Sequence, residues 1–274
     1  MKRSILIASL SLLASMPAYS LPAQTYSRTI VNDLVTQNLV DDFDIQPGAA
    51  SSAVSTVGPY SATATADFGV IKLSADTPNS NGLAQAVGSF RDTITLSGAG
   101  EFVPVTLNFL VNGLVTNRNP GIGDWEYQVS LDLSGTDQNR FQYVSNTVGG
   151  ASTATGAFSL PVSATGFAPS GVPLDIATVF RIGTSGNFFS AFKLDFAHTA
   201  LLTGIAVANG VTVTSATFGL LPTNAGAFTY PAVLRELNPG PPTGGVPEPA
   251  SWALMIGGFA VVGAAMRLKR VVRA

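Results

Sequence analysis

Apolar and polar residues alternate with a period of two along many short stretches of this chain, which is the pattern of half-buried β-strands. Residues 60–73 (YSATATADFGVIKL) and 90–96 (FRDTITL) show it first. Residues 103–116 (VPVTLNFLVNGLVT) follow, with Asn112-Gly113 as a candidate tight turn. Alternation returns at 125–133 (WEYQVSLDL), 157–162, 176–182, 188–196, 200–207 and 211–218. Clusters of Ser, Thr, Gly, Asn and Pro separate these stretches. Residues 29–40 (TIVNDLVTQNLV) fit a short helix or a strand equally well. Many short strands at this spacing predict an all-β protein: an antiparallel β-sandwich, jelly-roll or immunoglobulin-like, as one body over residues 21–237.

Both ends depart from this pattern. Met1-Lys2-Arg3 is a positive n-region, residues 5–13 are apolar, and Ala18-Tyr19-Ser20 offers small residues where a signal peptidase reads. These parts predict a signal peptide over residues 1–20, cleaved after Ser20. At the other end residues 238–245 (NPGPPTGG) form a Pro/Gly linker. Val246-Pro247-Glu248-Pro249 comes next, and then residues 250–266 pass without a charge. As a helix those residues span about 25 Å, enough to cross a bilayer core once flanking groups snorkel. Trp252 suits one interface, and Arg267, Lys269, Arg270 and Arg273 in the basic tail 267–274 mark the cytoplasmic side. A single transmembrane helix with the body outside the cytoplasm is the expected topology.

Composition narrows the functional classes. Hydrophobic residues make up 46% of the 274 and charged residues 11%, so the chain is not of the disordered type. Between Arg3 and Arg267 lie eight basic residues against sixteen acidic ones, and an acidic body disfavours nucleic acid as a partner. With no cysteine there is neither a disulfide framework nor a thiolate nucleophile nor the usual structural zinc site. Lipidation at cysteine is ruled out for the same reason.

The run Pro247-Glu248-Pro249, the pair Trp252-Ala253, a short apolar stretch bearing Gly257, Gly258 and Gly263, and a basic end together resemble the PEP-CTERM sorting signal of exopolysaccharide-producing Gram-negative bacteria, in its Trp-Ala subclass. The resemblance covers residues 246–274. It implies processing by an exosortase, after export by the Sec machinery and signal peptidase, and then release or attachment at the cell surface. It also implies an association with exopolysaccharide and biofilm. Similar tails are grouped under an ice-binding-protein C-terminal label as well, which describes the tail and says nothing of ice. In the body, Ser89-Phe-Arg-Asp-Thr-Ile-Thr-Leu96 and Asp195-Phe-Ala-His-Thr-Ala-Leu-Leu-Thr-Gly-Ile205 with Val211-Thr-Val-Thr-Ser215 resemble strands common in other PEP-CTERM passengers.

Candidate chemistry in the body is sparse. His198 is the single histidine and no Gly-x-Ser-x-Gly elbow accompanies it, so a turn or strand-edge hydrogen bond explains it better than catalysis. Asp41, Asp42 and Asp44 form the densest acidic cluster, but their spacing is not that of an EF-hand and a solvated loop accounts for them. Asp132 and Asp137, flanking Gly135, are read the same way. Glu101 and Glu126 are not selected by spacing as a glycosidase pair. Trp125 and Tyr127 share one face of a strand, where exposed rings could stack on a sugar and buried ones would belong to the core. Thr63/Thr65, Thr93/Thr95 and Thr212/Thr214 are too irregularly placed for an ice-binding ladder. The expected function is that of a non-enzymatic exported surface or matrix protein without metal or cofactor. A carbohydrate-binding module for exopolysaccharide is the alternative, and a secreted hydrolase stands behind it.

Overall fold

The computed structural model describes residues 23–98, 100–118, 124–135, 144–184, 191–215, 218–223 and 225–237, with the backbone alone at 135 and 197–199. The chain divides into two compact units, Met1–Glu236 and Leu237–Ala274. The first is the β body. Its strands β1 (Gln24–Asp33) and β2 (Asn38–Pro47) form a hairpin, and β3 (Ser51–Val57), β4 (Tyr60–Asp67) and β5 (Val70–Asp76) form a meander. Then come β6 (Gly82–Ser97), β7 (Phe102–Asn117), β8 (Trp125–Gly135), β9 (Val144–Ser152), β10 (Gly156–Pro169), β11 (Pro173–Thr184) and β12 (Phe192–Val207). The short β13 (Thr212–Ser215), β14 (Leu221–Pro222) and β15 (Phe228–Thr229) precede helix α1 (Pro231–Leu237).

Every strand pairing among the described residues is antiparallel, and the pairings build two facing sheets. The first sheet runs β2-β1-β6-β11-β8-β9 and the second β10-β7-β12-β5-β4-β3. β4 and β6, which the alternation locates, bury every second residue, and β3, outside the expected strands, does the same. The all-β, antiparallel sandwich expected from the pattern is what forms.

Local readings differ in four places, the first being that residues 192–196 and 200–207, expected as separate strands, belong to the single strand β12. Residues 60–73 are two strands, because Phe68-Gly69 turns the chain with Gly69 at φ 80°. Residues 103–116 are one strand: Gly113 makes no turn, and a Cβ there would lie 2.3 Å from the Phe196 ring. The glycine is needed so that β7 can pass beneath that ring. Residues 29–40 fall in β1, β2 and the turn between them, not in a helix.

The core is uneven in thickness. Toward β8, β11 and β12 it holds Trp125, Phe180 and Phe196. Toward β1, β3 and β4 it holds Ala53, Ala62, Ala64 and Ala66, with buried Ser27, Thr29, Ser51 and Ser55. Hydroxyls there bridge the two sheets, Ser27 Oγ to Ser51 Oγ at 2.9 Å and Thr29 Oγ1 to Ser55 Oγ at 2.7 Å. Such short side chains meet only if the backbones approach more closely than the ~10 Å of ordinary sheet packing.

The C-terminal part of the body completes both sheets. β1 pairs with β6 as far as Arg91, and β13 continues that line from Ile94 to Ser97. β5 pairs with β12 as far as Leu201, and β15 joins β12 at Ile205. Tyr230 and α1 follow directly. Val233 is buried, Lys72 Nζ lies 2.8 Å from Glu236 Oε1, and a Cβ on Gly69 would stand 2.6 Å from Val233. Gln24 pairs with Arg91, and Tyr230 bonds the adjacent Asp92, so the start of the first strand and the residue preceding α1 meet the same stretch of β6.

Candidate functional site

The sorting residues Val246, Pro247, Glu248, Pro249, Trp252 and Ala253, and the basic Arg267, Lys269, Arg270 and Arg273, lie outside the described residues. So do residues 1–20 and the stretch 250–266. Among the described residues no helix is long and apolar enough to cross a membrane.

Trp125 and Tyr127 do share a face, and it is the inner one. Trp125 is 0% exposed. Its ring lies 5.3 Å from Phe158, edge-on, and 5.9 Å from Phe196, while Tyr127 packs edge-on against Phe158 at 5.2 Å. The indole Nε1–H donates to Ala154 O at 3.1 Å. The Trp125 ring has no open surface and cannot stack on a sugar, while the half-buried Tyr127 is packed against Trp125 and Phe158 at the fringe of the core, so the pair forms no exposed stacking platform.

The acidic cluster is on strand β2 and not in a loop, and each of its carboxylates has a partner. Arg28 donates to both oxygens of Asp41, Nε to Oδ1 at 2.9 Å and Nη2 to Oδ2 at 2.6 Å. Asp42 accepts the Val54 N–H at 2.8 Å and Asp44 the Ser52 N–H at 2.9 Å. β2 and β3 are the edge strands of their sheets. Outward-facing N–H groups of an edge strand are templates for unwanted pairing, and these two aspartates cover them. Asp42→Ala with Asp44→Ala is therefore expected to lower stability by about 1–2 kcal/mol and to shift the protein toward larger species in light scattering. An unchanged mass distribution would show that the edge is protected by something else. No group of three or more acidic or histidine side chains able to hold a metal occurs among the described residues.

The other candidates are scattered. The side chain of His198 and all of Asp137 lie outside the described residues, while Asp132 is half-buried on β8. Glu101 precedes β7, where its carbonyl accepts the Ser170 N–H, and the Ser170 side chain reaches Gly98 at the end of β6. Glu126 pairs with Gly183, which faces Gln85 near the start of β6. The length of β6 thus separates the two glutamates by on the order of 40 Å, far beyond the reach of a glycosidase pair. Thr63/Thr65 and Thr93/Thr95 lie in different sheets, and Thr212 and Thr214 bond backbone carbonyls of β6. They form no common array.

The most constrained polar centre was not singled out from sequence. Asp92 is fully buried, and its Oδ2 accepts the Tyr230 hydroxyl at 2.7 Å and the Ser215 hydroxyl at 2.5 Å. Its Oδ1 accepts the Thr93 N–H at 2.8 Å. Burial first, and the neighbouring Asp92 second, push the Tyr230 phenol well above its ordinary range. Beside this centre Arg91 Nη2 meets Asp175 Oδ2 at 2.7 Å, and Thr93 donates to Asp175 Oδ1 at 2.7 Å. The run Phe90-Arg-Asp-Thr93 is thus a fastening device: Phe90 and Asp92 point into the core, Arg91 and Thr93 outward to Asp175. The one sequence signal for it is an aspartate at an inward position of an alternating strand. At the first sheet a shallow depression is lined by Glu126, Tyr127, Gln128 and Arg181 beside Gly150 and Ala151. It can hold a polar group by hydrogen bonds and presents no nucleophile–base pair.

No family model matches the chain, and no curated protein matches it. Among solved structures, the enzymatically active domain of tailspike protein 4 from bacteriophage CBA120 is similar over 58% of this chain and 19% of that chain. The identity is 8% and the TM-score 0.24, too slight a likeness to carry fold or function.

Proposed function

We propose that the chain is an exported, non-enzymatic cell-surface or extracellular-matrix protein, sorted through its C-terminal tail by an exosortase and associated with exopolysaccharide. The observation that carries this reading is the order of parts after residue 245: Val246-Pro247-Glu248-Pro249, Trp252-Ala253, a chargeless stretch to Met266, and a basic end. That order resembles the PEP-CTERM signal. In this reading residues 1–20 are removed on export and residues 250–266 hold the protein in the inner membrane with its body outside until the tail is cut. Two features of the body support it. The start of the first strand and the residue that leads into α1 both lie beside residues 91 and 92 of β6. The described polar groups, mostly engaged in fastening the fold, present no catalytic constellation. From β6 onward strands pass repeatedly between the sheets, and β11 inserts between β6 and β8. This order favours a jelly-roll over an immunoglobulin-like sandwich.

The test compares cells with and without the exosortase, and wild type with a Pro247→Ala, Glu248→Ala, Pro249→Ala variant. A shorter form at the surface or in the medium is expected only where enzyme and motif are both intact, with a full-length membrane form otherwise. Identical mass and location in all strains would overturn the assignment.

A further inference from the structure

Two phenyl rings stand in water on the outer face of the second sheet, with Phe167 64% and Phe102 47% exposed. Phe167 on β10 lies opposite Pro104 on β7, and Phe102 lies two residues from Pro104, so the rings are diagonal neighbours on one face. Leaving this apolar group exposed costs burial energy that an ordinary strand surface would recover, which marks it as a contact site. The next rows are polar: Thr106 opposite Thr165, their hydroxyls bonded at 2.9 Å, and then Asn108 opposite Ser163. Neither β7 nor β10 carries a charged residue.

We propose that this outer face of the β7–β10 ladder binds a neutral polysaccharide, with Phe102 and Phe167 as stacking rings and the Thr106/Thr165 and Asn108 rows as hydrogen-bonding partners. The apolar C–H faces of pyranose rings pack on phenyl groups, and sugar hydroxyls match uncharged donors and acceptors. An anionic ligand would lose its hydration here and find no cation on either strand. Pairing with another protein strand along β10 is disfavoured, because Pro161 and Pro169 remove N–H donors from that edge. The ladder extends for about 45 Å, a length that suits an extended polymer better than a single sugar. The site concerns the body alone and does not depend on how the tail is processed.

Native electrophoresis of the purified chain in gels containing a neutral β-glucan, a neutral galactomannan or anionic alginate tests the assignment. Retardation by at least one neutral polymer and none by alginate is expected. Phe102→Ala with Phe167→Ala should weaken it about tenfold or more, with an unchanged circular dichroism spectrum. Thr165→Arg, which keeps both rings and sets a charge among them, should weaken it as well. The proposal fails if neither neutral polymer retards the protein, if alginate alone does, or if retardation survives in the double variant. It fails too if that variant merely dissolves a self-associated form without altering glycan binding.

Discussion

Replacing Tyr230 with alanine is expected to destabilise the body by about 3–5 kcal/mol. The side chain has no exposed surface, and its ring lies 5.9 Å from Phe90 and 6.1 Å from Phe68. Its hydroxyl donates to Asp92, and its carbonyl accepts the Val233 N–H in the first turn of α1. The variant thus loses packing, strips a donor from a buried carboxylate and loosens the segment that completes both sheets. Tyr230→Phe keeps the ring and removes only the hydroxyl, so the expected loss is about 1.5–3 kcal/mol. Urea unfolding of the three proteins separates the contributions; equal losses in both variants would mean that the ring contributes nothing.

The same residue predicts an alkaline weakness. Because the folded protein raises the Tyr230 phenol above its unfolded value, it holds that proton more tightly than the unfolded chain does. The associated stability is complete below about pH 10 and declines as pH rises beyond that, by at most about 1.4 kcal/mol per pH unit. Tyr230→Phe should show a shallower decline. Some slope will persist, since burial also raises Tyr26 and Tyr60.

Trp125→Ala is expected to cost a further 3–5 kcal/mol class of loss, about as much as any single core truncation. The indole fills the space between Tyr127, Phe158 and Phe196, and its N–H satisfies the Ala154 carbonyl. Its removal leaves a cavity and a carbonyl without its donor. Thermal unfolding followed by far-ultraviolet circular dichroism measures this, and Trp125→Phe should recover a large part of it. If Trp125→Ala left the melting temperature in place while abolishing glycan binding, the ring would be a ligand platform after all. A decline in both together assigns it to the core.

Strands were legible where one face is buried and the other wet, as in β4, β6 and β8. β2 and β3 were not recognised. Asp41, Asp42 and Asp44 break the alternation of β2, and β3 is built of small residues (SSAVSTV) that carry little hydrophobic contrast. Both are edge strands, where the pairing partner on one side is absent and the pattern weakens accordingly. The hairpin at Phe68-Gly69 was missed because alternation runs through it almost unbroken. The turn expected at Asn112-Gly113 failed for the opposite reason: β10 and β12 flank β7 on both sides and hold it straight. Trp125 and Tyr127 were correctly placed on one face, but alternation cannot say whether a face looks inward or outward.

Period-two alternation, turn residues and the two unusual ends are properties of neighbouring positions, and neighbouring positions were enough to establish a β-sandwich body between two candidate addresses. The meeting of Asp92 with Tyr230, 138 residues later, and of Asp42 with Val54 across two sheet edges, has no local signature. Each depends on chain segments brought together by the closing of the sheets. The same closing turned Trp125 inward and left Phe102 and Phe167 outside, which is why the candidate sugar platform moved from one strand pair to another.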